Sequence, residues 1–299
     1  MPLLMETAAL MSREQVERGA IEEIVTKDGL FALMPFKHVN GKSYDYRRED
    51  TLAQGAFLSP YDVVPESAST FTPVSTKLKI LAGDVDIDKF LKTTQSDLND
   101  QVGLQLAAKA KGMGRQFRNI LVNGDADTNP LEFSGVRKLT PAAQTLIAGA
   151  NGNAVTLGMI DELKDAVKLG ADVLMMREGT WRAIKEILRS FGGNTATMMM
   201  IEGFGMLPAL DGTPVIINEF LQRNEAQGSN ANTTSIYALR LNEVDGLHGI
   251  VGGEATGLTY EFIGTVQNKD AERHRLKWYV GLALKATHSV ARLKGITNV

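Results

Sequence analysis

Apolar positions recur along this chain with two different periods, and the change of period marks the elements. From Thr94 to Val122, Leu98, Val102, Leu106, Ala110, Met113, Phe117 and Leu121 fall at spacings of four and three. One unbroken stripe of that kind predicts a helix with a single buried face. At 1.5 Å per residue it would run roughly 40 Å, with Thr94 and Asp97 available to cap its start. Gly103, Gly112 and Gly114 each cost about 1 kcal/mol against alanine inside a helix, which implies bending or close packing against another backbone. Near the other end, "RHRLKWYVGLALKA" alternates strictly. Leu276, Trp278, Val280, Leu282 and Leu284 face one way; Arg275, Lys277, Tyr279, Gly281 and Lys285 face the other. Period two over this length predicts a long, half-buried antiparallel strand.

Between these two elements the pattern is α/β. "GMIDELKDAVKLGADVLMM" predicts a helix carrying Ile160, Leu163 and Val167, a stop at Gly170, then a buried strand. "GTWRAIKEILRSFGG" predicts a second helix with Trp181, Ile184, Leu188 and Phe191 inward. "LPALDGTPVIIN" predicts two short strands around an Asp211-Gly212 turn, and "QRNEAQGSNANTT" a polar loop. "SIYALRL", "GLHGIV" and "LTYEFIGTV" read as further strands. At the N-terminus, Ser12 and Gln15 form a capping-box pattern before Val16, Ala20 and Ile24, and Gly29 stands where that helix would end.

The least ordinary region runs from His38 to Leu81. Tyr44, Tyr46 and Arg48 alternate on one side, as do Val74, Thr76, Leu78 and Ile80 on the return, with Gly55, Pro60, Pro65 and small polar residues between. Two long strands joined by an extended tip are predicted. The middle has too few large apolar residues to bury itself, and an isolated two-stranded ribbon is marginal in water. A neighbouring subunit is the simplest surface for it to lie against.

Composition narrows the chemistry. The 299 residues are 43% hydrophobic and 22% charged, which is ordinary for a globular chain and sufficient for one large core or two moderate ones. A net charge of −3 argues against a protein whose main work is gripping phosphates with a basic face. Without cysteine there is no disulfide, thiolate metal site or cysteine nucleophile. No apolar run reaches membrane-span length and no signal peptide precedes the first element, so a soluble chain is expected to stay in the compartment where it is made.

Candidate sites fail on their own requirements. "NGDADTNPLEFSGV" places Asp125, Asp127 and Asn129 at the first, third and fifth positions of a calcium loop. Pro130 then stands where the loop needs glycine, and Val136 where it needs a bidentate Glu. "GKS" at Gly41 to Ser43 lacks the upstream glycine of a phosphate loop, having Phe36 there, and a strand is predicted to follow. "GFGMLP" at Gly203 lacks the third glycine of a dinucleotide fingerprint. His38, His248, His274 and His288 have no partners at metal-ligand spacing, and no Gly-x-Ser-x-Gly elbow occurs. No catalytic, metal or cofactor residue is assigned.

The order of these parts resembles the major capsid proteins of tailed bacteriophages, the Hong Kong 97-type fold. The resemblance spans essentially the whole chain. "GLFALMPFKHVNGKSYDYRRE" is similar to the arm entering that family's extended loop, and "PESASTFTPVSTKLKILAGDVDIDKFL" to the return strand leading to its long spine helix. "ILVNGDADTNPLEFSGV" is similar to the turn after that helix, and "TPVIINEF" and "SVARLKGI" to further family segments. The acidic tripeptide then reads as turn chemistry at the end of the spine.

The resemblance implies an α+β fold. Its parts would be an N-terminal arm (1–37), an extended β-ribbon loop (38–82), a peripheral domain with the spine helix (83–137), an axial α/β domain (138–265) and a return strand completing the peripheral domain (266–299). It implies a structural, non-enzymatic protein of the virion, assembled in the host bacterial cytoplasm as hexamers and pentamers into an icosahedral shell around double-stranded DNA. A scaffolding protein, a portal and a decoration protein are the implied partners, with no membrane, no cofactor and no sequence-specific DNA contact. Arg47, Arg48, Glu49, Asp50, Glu66 and Phe71 become candidate intersubunit contacts. Lys42, Lys77 and Lys79 lie in or near the ribbon, but no local pattern marks one for the isopeptide cross-links some members form. No long scaffolding segment precedes the arm, so a scaffold would be a separate protein or a removed segment. The alternative within the fold is an encapsulin, a nanocompartment shell that packages a cargo enzyme. The alternative outside it is a metal-dependent or nucleotide-using cytoplasmic enzyme built on the Asp125 cluster or the Gly203 loop.

Overall fold

A computed structural model describes residues 29–51, 53–90, 101–168, 170–190, 197–201, 205–253 and 257–299. The N-terminal helix expected from Ser12 to Ile24 lies outside them, as do Thr94, Asp97, Leu98 and Phe191. Gly29, read as a helix stop, lies within a short helix, Gly29–Leu33 (α1), whose Leu30 is fully buried.

The apolar stripe of the spine forms Gln101–Asn123 (α2), about 35 Å long at helical rise. Leu106, Ala110, Met113, Phe117 and Leu121 are all buried. They pack on a five-stranded sheet built around Ala271–Leu284 (β14), the strand of strict alternation. Along one edge β14 pairs antiparallel with Lys79–Asp88 (β4). Along the other it pairs with Thr259–Thr265 (β13) and then Leu247–Gly252 (β12), and Phe36–Val39 (β1) adds parallel to β12. Leu276, Trp278, Val280, Leu282 and Leu284 all face the core, as their alternation requires. An aromatic group closes the layer, with Phe117 4.5 Å from Trp278 and Phe31 in edge contact with both. The close approach expected at the spine glycines occurs on the opposite wall: space beside Gly112 is open, whereas a Cβ at Gly83 of β4 would strike Lys109 and Met113.

A second sheet has eight strands. Its path runs Thr145–Ile147 (β5), Val290–Ile296 (β15), Asn230–Leu239 (β11), Val173–Met176 (β6), Thr213–Ile217 (β9), Gly205–Leu210 (β8), Thr197–Ile201 (β7), with Glu225–Gln227 (β10) also on β11. After a short helix, Val136–Leu139 (α3), come helices Leu157–Asp165 (α4) and Glu178–Ser190 (α5), under which Leu174, Met176, Val215, Ile236 and Ala238 pack through Ile160, Leu163, Trp181 and Ile184. Val173, Met175, Ile216, Tyr237 and Leu239 point to the other face and join the core of α2 and β14. Two-sided burial explains the unbroken apolar run of β6. Asp211 and Gly212 have φ of 48° and 76°, the left-handed pair a tight hairpin demands, so the predicted β8–β9 turn forms.

Three expectations change. "QRNEAQGSNANTT" is a hairpin, β10–β11, because Glu225 and Thr233 are buried and tie it to the sheet. The return strand of the ribbon breaks at Leu78 into Thr70–Lys77 (β3) and β4, which reverses the phase, so Ile80 faces outward and Leu81 packs inward. The boundary at 265/266 does not coincide with a change of sheet. β12 and β13 already belong to the sheet of β14, and β15 leaves it for the eight-stranded sheet, where β11 and β5 supply its partners.

Candidate assembly interface

Ser43–Thr51 (β2) and β3 form a two-stranded ribbon in register from Ser43↔Lys77 to Thr51↔Thr70, with an irregularity between Glu49 and Thr51. Its base is anchored to the body by polar contacts. The Tyr46 hydroxyl donates to the Leu284 carbonyl at 2.6 Å, and Arg48 donates to the carbonyls of Leu284 and Lys285 at 2.8 and 2.9 Å. Tyr44 takes a hydrogen bond from Lys37 and stands edge-on to the buried His248 ring, 5.6 Å away. These contacts seat on carbonyls where β14 ends, so the ribbon leaves the body at a defined angle.

Beyond the base, residues 53–68 are all exposed. Among the described residues the tip is held by local bonds: Ser59 N–H and its carbonyl engage Asp62, Ser67 donates to the Gln54 carbonyl, and Ala53 N–H donates to Ser69. Phe57 and Tyr61 are fully exposed, with Val63 and Val64 beside them, and Tyr61 is held at a φ of 73°. That φ belongs to the third position of the Ser59–Asp62 turn, and large apolar side chains in water are a cost the isolated chain does not recover.

The six candidate contact residues separate. Arg48 is occupied with its own chain at the ribbon base. Arg47 and Glu66 are exposed, and Phe71 is 52% exposed opposite Glu49 on the ribbon. The Glu49 and Asp50 side chains lie outside the described residues.

A second exposed apolar surface escaped the sequence reading. On the edge hairpin β7–β8, Met198, Met200 and Met206 share one face, with Met200 directly opposite Met206. Met200 is 77% exposed. The signal available was "TMMMI", three methionines in a strand with no alternating polar position.

The Asp125 cluster is a turn. Asp125 accepts from the backbone N–H of Asp127 and the hydroxyl of Thr128, and Lys138 bridges Asp125 and Asp127 at 3.1 and 2.7 Å. The Lys138 hydrogen bond holds the Asp125 carboxyl below its ordinary value. Gly124 and Gly135 cross so closely that a Cβ on either would meet the carbonyl of Ile120 at 2.6 or 2.5 Å. After "GKS" a strand follows, as expected, and His274 is hydrogen-bonded to Tyr260 within the sheet.

The outward face of the five-stranded sheet carries a ladder of ion pairs. Arg273 and Arg275 make bidentate contacts with Asp86 and Asp84, and Lys277 meets Glu261 at 2.6 Å. Each carboxylate is held below its ordinary value mainly by the hydrogen bond from its basic partner. Among the described residues no helix is long and apolar enough to cross a membrane.

No protein-family model matches the sequence, and no curated protein matches it significantly. Solved structures do. The holo-SrpI encapsulin complex of Synechococcus elongatus superposes with a TM-score of 0.69 at 20% identity, covering 89% of this chain and 86% of that one. The capsid of an empty GTA particle gives 0.69 at 16% identity, covering 90% of each chain. Microbacterium phage Oxtober96 gives 0.65 at 12% identity, covering 89% and 90%.

Proposed function

We propose that this chain, which has the Hong Kong 97-type capsid fold, is a shell subunit: the major capsid protein of a tailed bacteriophage. On this reading it forms hexamers and pentamers that close into an icosahedral shell around double-stranded DNA. Its role is structural. The observation that carries the proposal is the ribbon, with an anchored base and a tip whose apolar side chains no other described residue covers, and which a neighbouring copy would bury.

The parts then take assembly roles. α2 with the five-stranded sheet forms the peripheral layer, and the eight-stranded sheet with α4 and α5 the axial one. Arg47, Glu49, Asp50, Glu66 and Phe71 meet the neighbour, while Arg48 fixes the direction in which they are presented. The methionine face of β7–β8 is an edge strand that needs covering, and it supplies a second contact between copies. Assembly in the host cytoplasm, a scaffolding protein, a portal and a decoration protein belong to the same proposal.

An encapsulin is the second reading, favoured by the likeness to the SrpI shell, which equals that to the GTA capsid. Particle contents separate the two. Expression of the chain with and without co-expressed phage scaffold, followed by size-exclusion chromatography and electron microscopy, should give closed particles or free hexamers and pentamers. A monomer or dimer under both conditions rejects the shell reading. Closed particles that retain a host protein rather than nuclease-protected DNA move the assignment to a nanocompartment.

A further inference from the structure

Methionine is distributed unevenly in this chain. Four of its twelve, Met198, Met199, Met200 and Met206, fall on the edge hairpin β7–β8. The register decides how the two faces share them. Met199 pairs with Leu207, and Leu207 and Ala209 are buried, so that face of β8 is turned to the body. Met198, Met200 and Met206 therefore lie on the opposite face, and they are 57%, 77% and 66% exposed.

Strand geometry brings these three sulfurs within reach of one another. Met200 and Met206 are directly opposite, which sets their Cβ atoms about 5 Å apart. Met198 is roughly 7 Å from both, along the strand from Met200 and across the diagonal from Met206. A methionine side chain is unbranched and flexible, so sulfurs rising from a triangle of this size can close on a single point above the hairpin.

Three thioethers make a particular kind of site. Each offers a neutral, polarisable sulfur and has no proton to lose. Magnesium and calcium require oxygen ligands, and zinc takes imidazole, thiolate or carboxylate. Cuprous copper accepts thioether sulfur. Among the described residues no group of His, Asp and Glu side chains could hold a harder ion. An apolar contact on a strand would be met as well by valine or isoleucine, which strands favour. What methionine adds is sulfur.

We infer that Met198, Met200 and Met206 form a binding site for a soft monovalent cation, cuprous copper or its air-stable analogue silver. All three ligands come from one chain, so the inference goes beyond the shell reading and does not rest on it. Affinity is constant between about pH 5.5 and 7.5, because thioethers do not titrate; a site built on imidazole would weaken as its nitrogen took up a proton.

The test uses the full chain labelled with carbon-13 at the methionine methyls and titrated with silver nitrate in chloride-free buffer. The methyl signals of Met198, Met200 and Met206 should shift together and saturate at about one equivalent, at either end of that pH range. Those of Met199 and of the buried Met175 and Met176 should not move. Met198→Leu, Met200→Leu and Met206→Leu keep an apolar face of similar volume, so each should weaken silver uptake and the three together should abolish it. Cuprous ion held by a chromophoric chelator should be withdrawn by the parent chain and not by the triple variant. Should that variant lose its circular dichroism signature, Met206→Leu alone decides, since it must still separate the shifts of Met198 and Met200 from a common saturation point. Shifts that saturate separately in the parent, saturation near three equivalents, uptake retained without the sulfurs, equal shifts with zinc, or a response lost at the acid end would each overturn the assignment.

Discussion

Glu225 is 4% exposed, yet it accepts hydrogen bonds from Ser235 and from Arg292, the latter at 2.8 Å. A buried carboxylate is tolerable only with such partners. Arg292→Ala should therefore destabilise the dissociated subunit by about 3 kcal/mol in urea unfolding, because Glu225 then keeps only the Ser235 hydroxyl and a longer contact, 4.0 Å, with Arg137. His248 works in the opposite sense. Burial pushes its pKa from 6.5 down to about 4, so the fold holds it neutral while the unfolded chain binds a proton. That contribution is complete above pH 6.5 and is lost as pH falls from there toward 4, to a limit of about 3 kcal/mol. Lys37 and Lys285, the nearby cations, and the Tyr44 ring over it all disfavour or fail to solvate a second charge. Denaturant midpoints of the parent and of His248→Phe should diverge with falling pH in this window, the variant being the flatter. A parallel decline would show that other groups titrate there.

At the scale of elements, the turn after α2 and the ribbon make separate predictions. Gly135→Ala must displace backbone carbonyls of Ile120 and Leu121, so roughly 1–3 kcal/mol should be lost, read as a lower melting temperature of the subunit. Lys138→Ala, which removes only an exposed bridge over Asp125 and Asp127, should shift the same melting temperature far less. For the ribbon, Tyr46→Phe with Arg48→Ala removes all three bonds to the end of β14 while sparing the apolar core. Hydrogen exchange across 43–51 should accelerate with α2 unaffected. Replacing 52–69 by Asn-Gly, which closes β2 on β3 directly, should leave a folded subunit that builds no stable shell. Normal particles from that variant would remove the ribbon from the assembly account.

Over the whole molecule, two sheets share one continuous core, because β6 and β11 present alternate residues to opposite sides. Exposed apolar side chains group at the ribbon tip and on the β7–β8 hairpin, while others, Leu131, Val244 and Phe262 among them, are spread over the body. Several separate apolar surfaces suit a subunit stabilised by many moderate contacts rather than by one large one. Met200→Glu with Met206→Glu sets two like charges directly opposite each other on the exposed hairpin, so it should lower subunit melting only slightly and lower the yield of closed particles by light scattering far more, because covering the pair would bury both charges.

Periodicity alone determined α2, β14, α4 and α5 and the Asp211-Gly212 hairpin, since each depends on local spacing and on one face being buried. The extended ribbon was legible for the same reason inverted: alternation without enough apolar mass. Composition and failed motifs removed the calcium loop, and the turn that replaced it was written in Gly124, Asp125 and Gly135. Only tertiary structure decided the rest. The phase slip at Leu78 depends on which strand each half pairs with, β2 or β14, and pairing is not local. β15 leaves the sheet of β14 because β11 and β5 are open to it, a fact held nowhere in its own residues. Arg48, grouped by sequence with its charged neighbours, turned inward to two carbonyls that lie more than two hundred positions away in the chain. A side chain's partner is fixed by the approach of distant backbone, and one-dimensional spacing carries no record of that approach.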